Sequence, residues 1–188
     1  MGSIGTGLTQ TSGENMKLSV ESTLIQSKPE ILSPEDFDIQ AKDKQLIYRG
    51  VTPNEQKNMS SKEVINDILS DSAIYEGKHA HGYGLYLTTS KASALSKYSE
   101  NEDAIITAFL NPKAKIITER DLHKLYKDKI GTPKNNTEIN TFALSQGYNV
   151  IQVEGGASSI RNSVANRGKD GEDYYVVLDK KVLTVRKL

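Results

Sequence analysis

Gly82-Tyr83-Gly84-Leu85-Tyr86-Leu87-Thr88-Thr89-Ser90-Lys91-Ala92-Ser93-Ala94-Leu95-Ser96-Lys97-Tyr98 reads as a glycine-flanked strand that stops in a hydroxyl cluster and turns directly into a short helix. Tyr83 to Thr88 has the composition of a strand, and Ser90 has the side chain to cap a helix running through Tyr98. Two further strand-like stretches carry polar residues. Upstream lies Ile47-Tyr48-Arg49-Gly50-Val51; downstream lies Gly171-Glu172-Asp173-Tyr174-Tyr175-Val176-Val177-Leu178. The chain thus offers three strand-borne polar sites in one order.

Helix and strand signals alternate around these sites without a repeat. Leu46 to Val51 is a strand closed by Pro53. Ser60-Ser61-Lys62-Glu63 has the spacing of a capping box, and Val64, Ile65, Ile68 and Leu69 continue it as one face of a helix ending near Ser70. Ala104 to Leu110 and Ala114 to Thr118 read as strands, Glu119 to Lys129 as a charged helix, and Thr137 to Gln146 as a helix stopped by Gly147. Val150 to Val153, Tyr174 to Leu178 and Val182 to Val185 are late strands. Glu154 to Ser159 reads as a surface loop and Asn166 to Gly171 as a turn. Helices interleaved early and strands dominating late predict an α+β domain whose sheet bends around a cleft.

Composition narrows the class. Of 188 residues 36% are hydrophobic, and the mean hydropathy of −0.51 is low for a chain that feeds its whole length into a core. Residues 1–37, rich in Ser, Thr, Gln and Asn and without sustained periodicity, are expected to be flexible and disordered, leaving 38–188 as one domain. Twenty-four basic residues balance 24 acidic ones, which argues against nucleic acid or an anionic membrane as partner. No apolar run approaches the roughly 20 residues of a membrane span. With no cysteine, disulfides and thiolate catalysis are excluded and a structural zinc site is disfavoured. His79-Ala80-His81 has no third ligand nearby and reads as loop, so no metal is expected. Gly82-x-Gly84 is half of a dinucleotide fingerprint, too common to count.

Arg49 sits between Tyr48 and Gly50 in an otherwise apolar strand, where a permanent charge needs a partner, a ligand or solvent. Its guanidinium fork suits a diphosphate or can hold a neighbouring loop. Gly50 lets a ligand lie against the main chain. Thr88, Thr89 and Ser90 offer donors and acceptors to a sugar or to a carboxylate, and Ser90 serves equally as a helix cap. Tyr86 and Tyr98, on either side of the hydroxyls, are aromatic platforms or core residues. Asp170-Gly171-Glu172-Asp173 supplies the carboxylates, or simply a solvated turn. Strand alternation sends Glu172 and Asp173 to opposite faces, so only one can enter a cleft unless a bulge intervenes, and the sequence does not choose.

Tyr48-Arg49-Gly50, then Thr88-Thr89-Ser90, then an acidic residue is similar to the Arg, Ser-Thr-Ser, Glu pattern of cholera-toxin-like mono-ADP-ribosyltransferases. Gly82 to Leu87 and Ser93 to Tyr98 also resemble the glycine-flanked strand and stacking tyrosine of poly(ADP-ribose) polymerases, in which a His replaces Arg49. The resemblance covers about residues 44–188. It implies an ADP-ribosyltransferase-like fold of bent mixed or antiparallel sheets around an NAD cleft with flanking helices. It implies that Arg49, Thr88 and either Glu172 or Asp173 are catalytic, and that Arg49, Gly50, Tyr86, Thr89, Ser90 and Tyr98 bind NAD, the substrate. In these roles Arg49 orients phosphates and ribose, Gly50 reads the carboxamide, Thr88 positions the acid and Tyr98 stacks on nicotinamide. The chain departs from the pattern in three ways. Thr88 replaces the first Ser, the acidic pair is Asp170-x-Glu172 rather than Glu-x-Glu, and a polymerase-type match puts Tyr174 where the glutamate belongs. Bacterial effectors of the HopF and EspJ kind, which use an Arg and an Asp, favour Asp173.

The implied activity is cleavage of NAD with transfer of ADP-ribose to a target protein of a host or competitor cell. A Ser/Thr-rich N-terminus on a cysteine-free domain fits a monomeric bacterial effector secreted into that cell. The alternatives are an NAD glycohydrolase with water as acceptor, and an inactive module that only binds.

Overall fold

The structure, a computed structural model, describes residues 27–70, 83–98, 104–156 and 172–188. Eight strands form one mixed sheet: β1 (Glu30–Leu32), β2 (Leu46–Gly50), β3 (Leu85–Thr88), β4 (Ile105–Leu110), β5 (Ile116–Thr118), β6 (Val150–Val153), β7 (Tyr174–Val177) and β8 (Leu183–Arg186). Five helices are present among the described residues: α1 (Pro34–Gln40), α2 (Ser61–Leu69), α3 (Lys91–Tyr98), α4 (Glu119–Lys129) and α5 (Asn136–Ser145). The chain is α+β, as its sequence pattern predicts. The strand order is β1-β8-β4-β2-β3-β7-β6-β5, with β1 parallel to β8 and β5 parallel to β6 while the inner pairs run antiparallel.

The ladders are unequal. Five residue pairs join β2 to β4, from Leu46↔Phe109 to Gly50↔Ile105, and four join β3 to β7. Between them, β2 and β3 meet at one pair, Tyr48↔Thr88. The sheet is therefore two well-laddered halves with a narrow seam.

Apolar packing covers both faces of the sheet, and the first cluster runs across the seam. Ile47, Leu85, Leu87, Ile106, Ala108, Val177 and Val185 line one cluster, which α2 covers with Ile65, Ile68 and Leu69. Ile151, Val153 and Val176 line another with Leu122 and Tyr126 of α4 and Ile139, Phe142 and Ala143 of α5. Each fully buried aliphatic side chain contributes about 1.5–3 kcal/mol, so these faces, more than local propensity, hold short strands in place. The helix starts follow their sequence signals. The Ser60 hydroxyl accepts from the Glu63 N–H while the Glu63 carboxylate accepts from the Ser60 N–H at 2.8 Å, and Thr118 and Asn135 cap α4 and α5. Gly147, just past α5, has a φ of 84°, where a side chain would strain the turn. Gly84 has a different reason: a Cβ there would overlap the Val176 side chain and lie 3.3 Å from the Val177 carbonyl.

The domain begins before residue 38. β1 pairs with β8 through Glu30↔Thr184, Ile31↔Val185 and Leu32↔Arg186. Ser33 then caps α1, Pro34 opens it, and buried Phe37 sets its ring 5.2 Å from that of Phe109. A three-residue strand and a two-turn helix are too short to show a period, so the expected boundary at 37 falls inside the domain. Residues 1–26 lie outside the described residues. The surface loop expected from Glu154 starts as a 3₁₀ turn, Glu154–Gly156, and its remainder lies outside them too, with the turn at Asn166 to Gly171, Asp170, Gly82, His79 and His81. Among the described residues no helix is long and apolar enough to cross a membrane.

Lys180 closes α2 from across the sequence. Its buried ammonium donates to the carbonyls of Ile68 at 3.0 Å and Ser70 at 2.5 Å, the groups a helix C-terminus leaves without partners. Burial lowers its pKa from 10.5, against a partial upward pull from Asp67. In the window below 10.5 the unfolded chain still binds a proton that the folded one has lost, so this group makes stability rise with pH there. Tyr126 and Tyr175 are raised, by burial first, and oppose that trend only above 10.0. Lys180→Met is expected to abolish the alkaline rise in denaturant midpoint below pH 10.0. Gly84→Ala is expected to lower unfolding free energy by about 1–3 kcal/mol through overpacking, read by urea titration.

Candidate active site

Thr88 ends β3 opposite Tyr174 of β7, and Glu172 stands two residues before Tyr174. Alternation along an extended chain brings Glu172 back to the face that Thr88 occupies. The two side chains meet: the Thr88 hydroxyl donates to Glu172 Oε2 at 3.3 Å. Thr88 Oγ1 itself accepts from the Ser90 N–H at 3.2 Å, which leaves the hydroxyl proton aimed at the carboxylate. The other oxygen, Oε1, takes a short hydrogen bond from the Ser93 hydroxyl. Thr88 and Glu172 are each only 6% exposed, so this carboxylate is a buried acid held by two hydroxyls.

Asp173 faces elsewhere. Its Oδ2 accepts from Gln152 Nε2 at 2.7 Å and its Oδ1 from the Gly155 N–H at 2.9 Å. Its carboxylate ties the start of β7 to β6 and the 3₁₀ turn after it. The Asp173 N–H donates to Thr89 Oγ1 at 3.2 Å and its carbonyl accepts from the Thr89 N–H at 3.0 Å, so the Thr89 hydroxyl extends the β3–β7 ladder. Charge from Asp173 adds to burial in raising the Tyr175 pKa.

Arg49 stands next to the seam. From the Tyr48↔Thr88 pair, alternation starts its side chain on the face opposite Thr88, with Ile106 beside it on β4. The half-buried guanidinium crosses to β3 and donates from Nη1 to the Tyr86 carbonyl at 3.2 Å. Arg49 therefore reaches the strand that carries Thr88 two residues before the hydroxyl, through main chain. Gly50 is buried and paired with Ile105.

The remaining sequence candidates divide. Ser90 caps α3, accepting from the Ser93 N–H at 3.1 Å. Tyr86 lies on the Thr88 face, partly buried against the cluster that α4 and α5 cover. Tyr98 is the last residue of α3, and its side chain lies outside the described residues. Asp170, the partner of Glu172 in the Asp-x-Glu pair, lies outside them as well. Among the described residues no three His, Asp or Glu side chains gather as a metal site.

Three residues were not singled out in the sequence. Ser93 is third after the Ser90 cap, where a capping box would place Glu or Gln, and as a Ser it gives no signal of its own. Gln152 is the polar residue in Val150-Ile151-Gln152-Val153. Asn140, buried on α5, donates to the Tyr83 carbonyl at 2.7 Å and fixes the entry to β3. Comparison with protein-family models and with curated proteins finds no match.

Asp173→Ala removes two hydrogen bonds to a charged group and is expected to cost about 1.5–3 kcal/mol of unfolding free energy. Glu172→Gln, nearly isosteric and still able to accept from a hydroxyl, is expected to cost about 1 kcal/mol. Urea titration of both variants reads the difference.

Proposed function

We propose that this chain is a mono-ADP-ribosyltransferase, which splits NAD and transfers ADP-ribose to a target protein with release of nicotinamide. The observation that carries the reading is the hydrogen bond from Thr88 to Glu172, a contact between side chains 84 residues apart that joins the Thr-Thr-Ser cluster to the acidic segment. In this reading the NAD cleft opens at the β2–β3 seam, where a single residue pair joins the two halves of the sheet.

The reaction breaks the bond between ribose C1 and the nicotinamide nitrogen. The electron pair leaves with nicotinamide, positive charge builds on the sugar, and an acceptor side chain attacks C1 and gives up its proton. A carboxylate that accepts from a ribose hydroxyl beside C1 attracts that charge more strongly than it attracts the neutral sugar. A buried carboxylate does so with less screening than a solvated one. In this reading Glu172 is that acid, Thr88 holds it, and Arg49 stands at the seam for the diphosphate. Asp173, spent on Gln152 and Gly155, braces the 3₁₀ turn after β6, which favours the Glu pattern over the Arg-Asp pattern. The acceptor is a protein of a host or competitor cell, reached by secretion of the chain as a monomeric bacterial effector.

Incubating the chain with labelled NAD and cell lysate tests the reading. A labelled protein band supports transfer. Free nicotinamide without a band makes the chain an NAD glycohydrolase, and neither product makes it a binding module. Arg49→Ala and Glu172→Gln are each expected to lower nicotinamide release by about 100-fold or more, the scale of removing a group that stabilises transition-state charge. Wild-type rates in the Arg49→Ala variant would remove Arg49 from the site.

A further inference from the structure

We infer that Ser93 is a positioning residue for Glu172, setting the orientation of the carboxylate during NAD cleavage; this deepens the ADP-ribosyltransferase reading and rests on it. A carboxylate with one donor can still rotate about its last torsion, a broad and weakly restricted one. Glu172 has two donors, on different elements: Thr88 at the end of β3 holds Oε2, and Ser93 in the first turn of α3 holds Oε1. Those elements are joined only by Thr89 and Ser90, and each joint is pinned. Thr89 is bonded to Asp173, and the Ser90 hydroxyl accepts from the Ser93 N–H. Ala94, fully buried next to Ser93, seats the helix. The backbone that carries each donor cannot shift without moving a strand or a helix.

An ionised carboxylate has about four lone-pair positions. With one on each oxygen occupied, a ribose hydroxyl must approach along those that remain, and the two donors decide where these point. Loss of Ser93 leaves Oε1 to find another donor, which turns the carboxylate away from the direction that Thr88 alone does not enforce. Such a change alters how well the acid meets developing charge, with little effect on how tightly the ground-state dinucleotide binds.

The test uses the full chain with NAD, measuring nicotinamide release and separating kcat from KM. Ser93→Ala is expected to lower kcat about 10- to 100-fold, the worth of a hydrogen bond to a charged group, with KM within about twofold. Ser93→Thr, which keeps the hydroxyl, is expected to recover kcat to within about threefold of wild type. In the Glu172→Gln background, Ser93→Ala is expected to add little, because a residue acting through Glu172 has nothing left to position. If Ser93→Ala melts below the assay temperature, Ser93→Cys, similar in size and a weak donor, takes its place.

Wild-type kcat in Ser93→Ala beside an inactive Glu172→Gln overturns the Ser93 role and leaves the NAD-cleaving reading intact. So does a loss that Ser93→Thr fails to rescue, or one that adds in full to Glu172→Gln. Undiminished release by Glu172→Gln, or no release by the wild-type chain, overturns both.

Discussion

Thr88 stands where three constraints cross. Its main chain forms the pair with Tyr48 that joins the two halves of the sheet, it faces Tyr174 in the next ladder, and its hydroxyl holds Glu172. A hydroxyl placed by two strand registers is not free to drift, so the carboxylate that it binds inherits the geometry of the sheet. That is how a buried acid remains compatible with the fold: its oxygens find donors that the backbone has already positioned. Arg49 bonds the same strand two residues earlier, at the Tyr86 carbonyl.

Around Thr88, residues of the same chemical kind do different work because they leave the backbone in different directions. Glu172 turns inward to hydroxyls, whereas Asp173, one residue on, turns to Gln152 and Gly155 and secures the turn after β6. Thr88 presents its hydroxyl to an acid, and Thr89 spends its own on main chain. Ser90 caps α3 while Ser93, one turn further, reaches the carboxylate. The scaffold and the candidate site thus share one hydrogen-bond network, and substitutions within it are expected to couple rather than add.

Much of the fold was legible because its signals are local. The capping box at Ser60, the charged helix from Glu119 to Lys129, the stop at Gly147 and most strands follow from residue spacing within a few turns. β1 and α1 were not legible. Glu30-Ile31-Leu32 is too short to alternate, and it becomes a strand only because β8 offers an edge more than 150 residues away. Gly84 reads in the sequence as a glycine flanking a strand and acts as clearance for Val176 in the structure. The candidate site was legible as residue types, with the Thr-Thr-Ser cluster and the acidic pair both in place, but Ser93 and Gln152 were lost among ordinary polar residues.

The sequence by itself determined that this is an α+β chain, where most of its helices begin and end, and that Glu172 and Asp173 must face apart, since all of these depend on neighbours within a few residues. Only the tertiary structure decided which of the two acids meets the hydroxyls, because that choice rests on the register between β3 and β7 and on where α3 leaves the sheet. It likewise decided that Arg49 reaches β3 through the Tyr86 carbonyl. Contacts across 37 or 84 residues depend on how strands pair, and pairing is settled by the burial of whole faces rather than by any short motif.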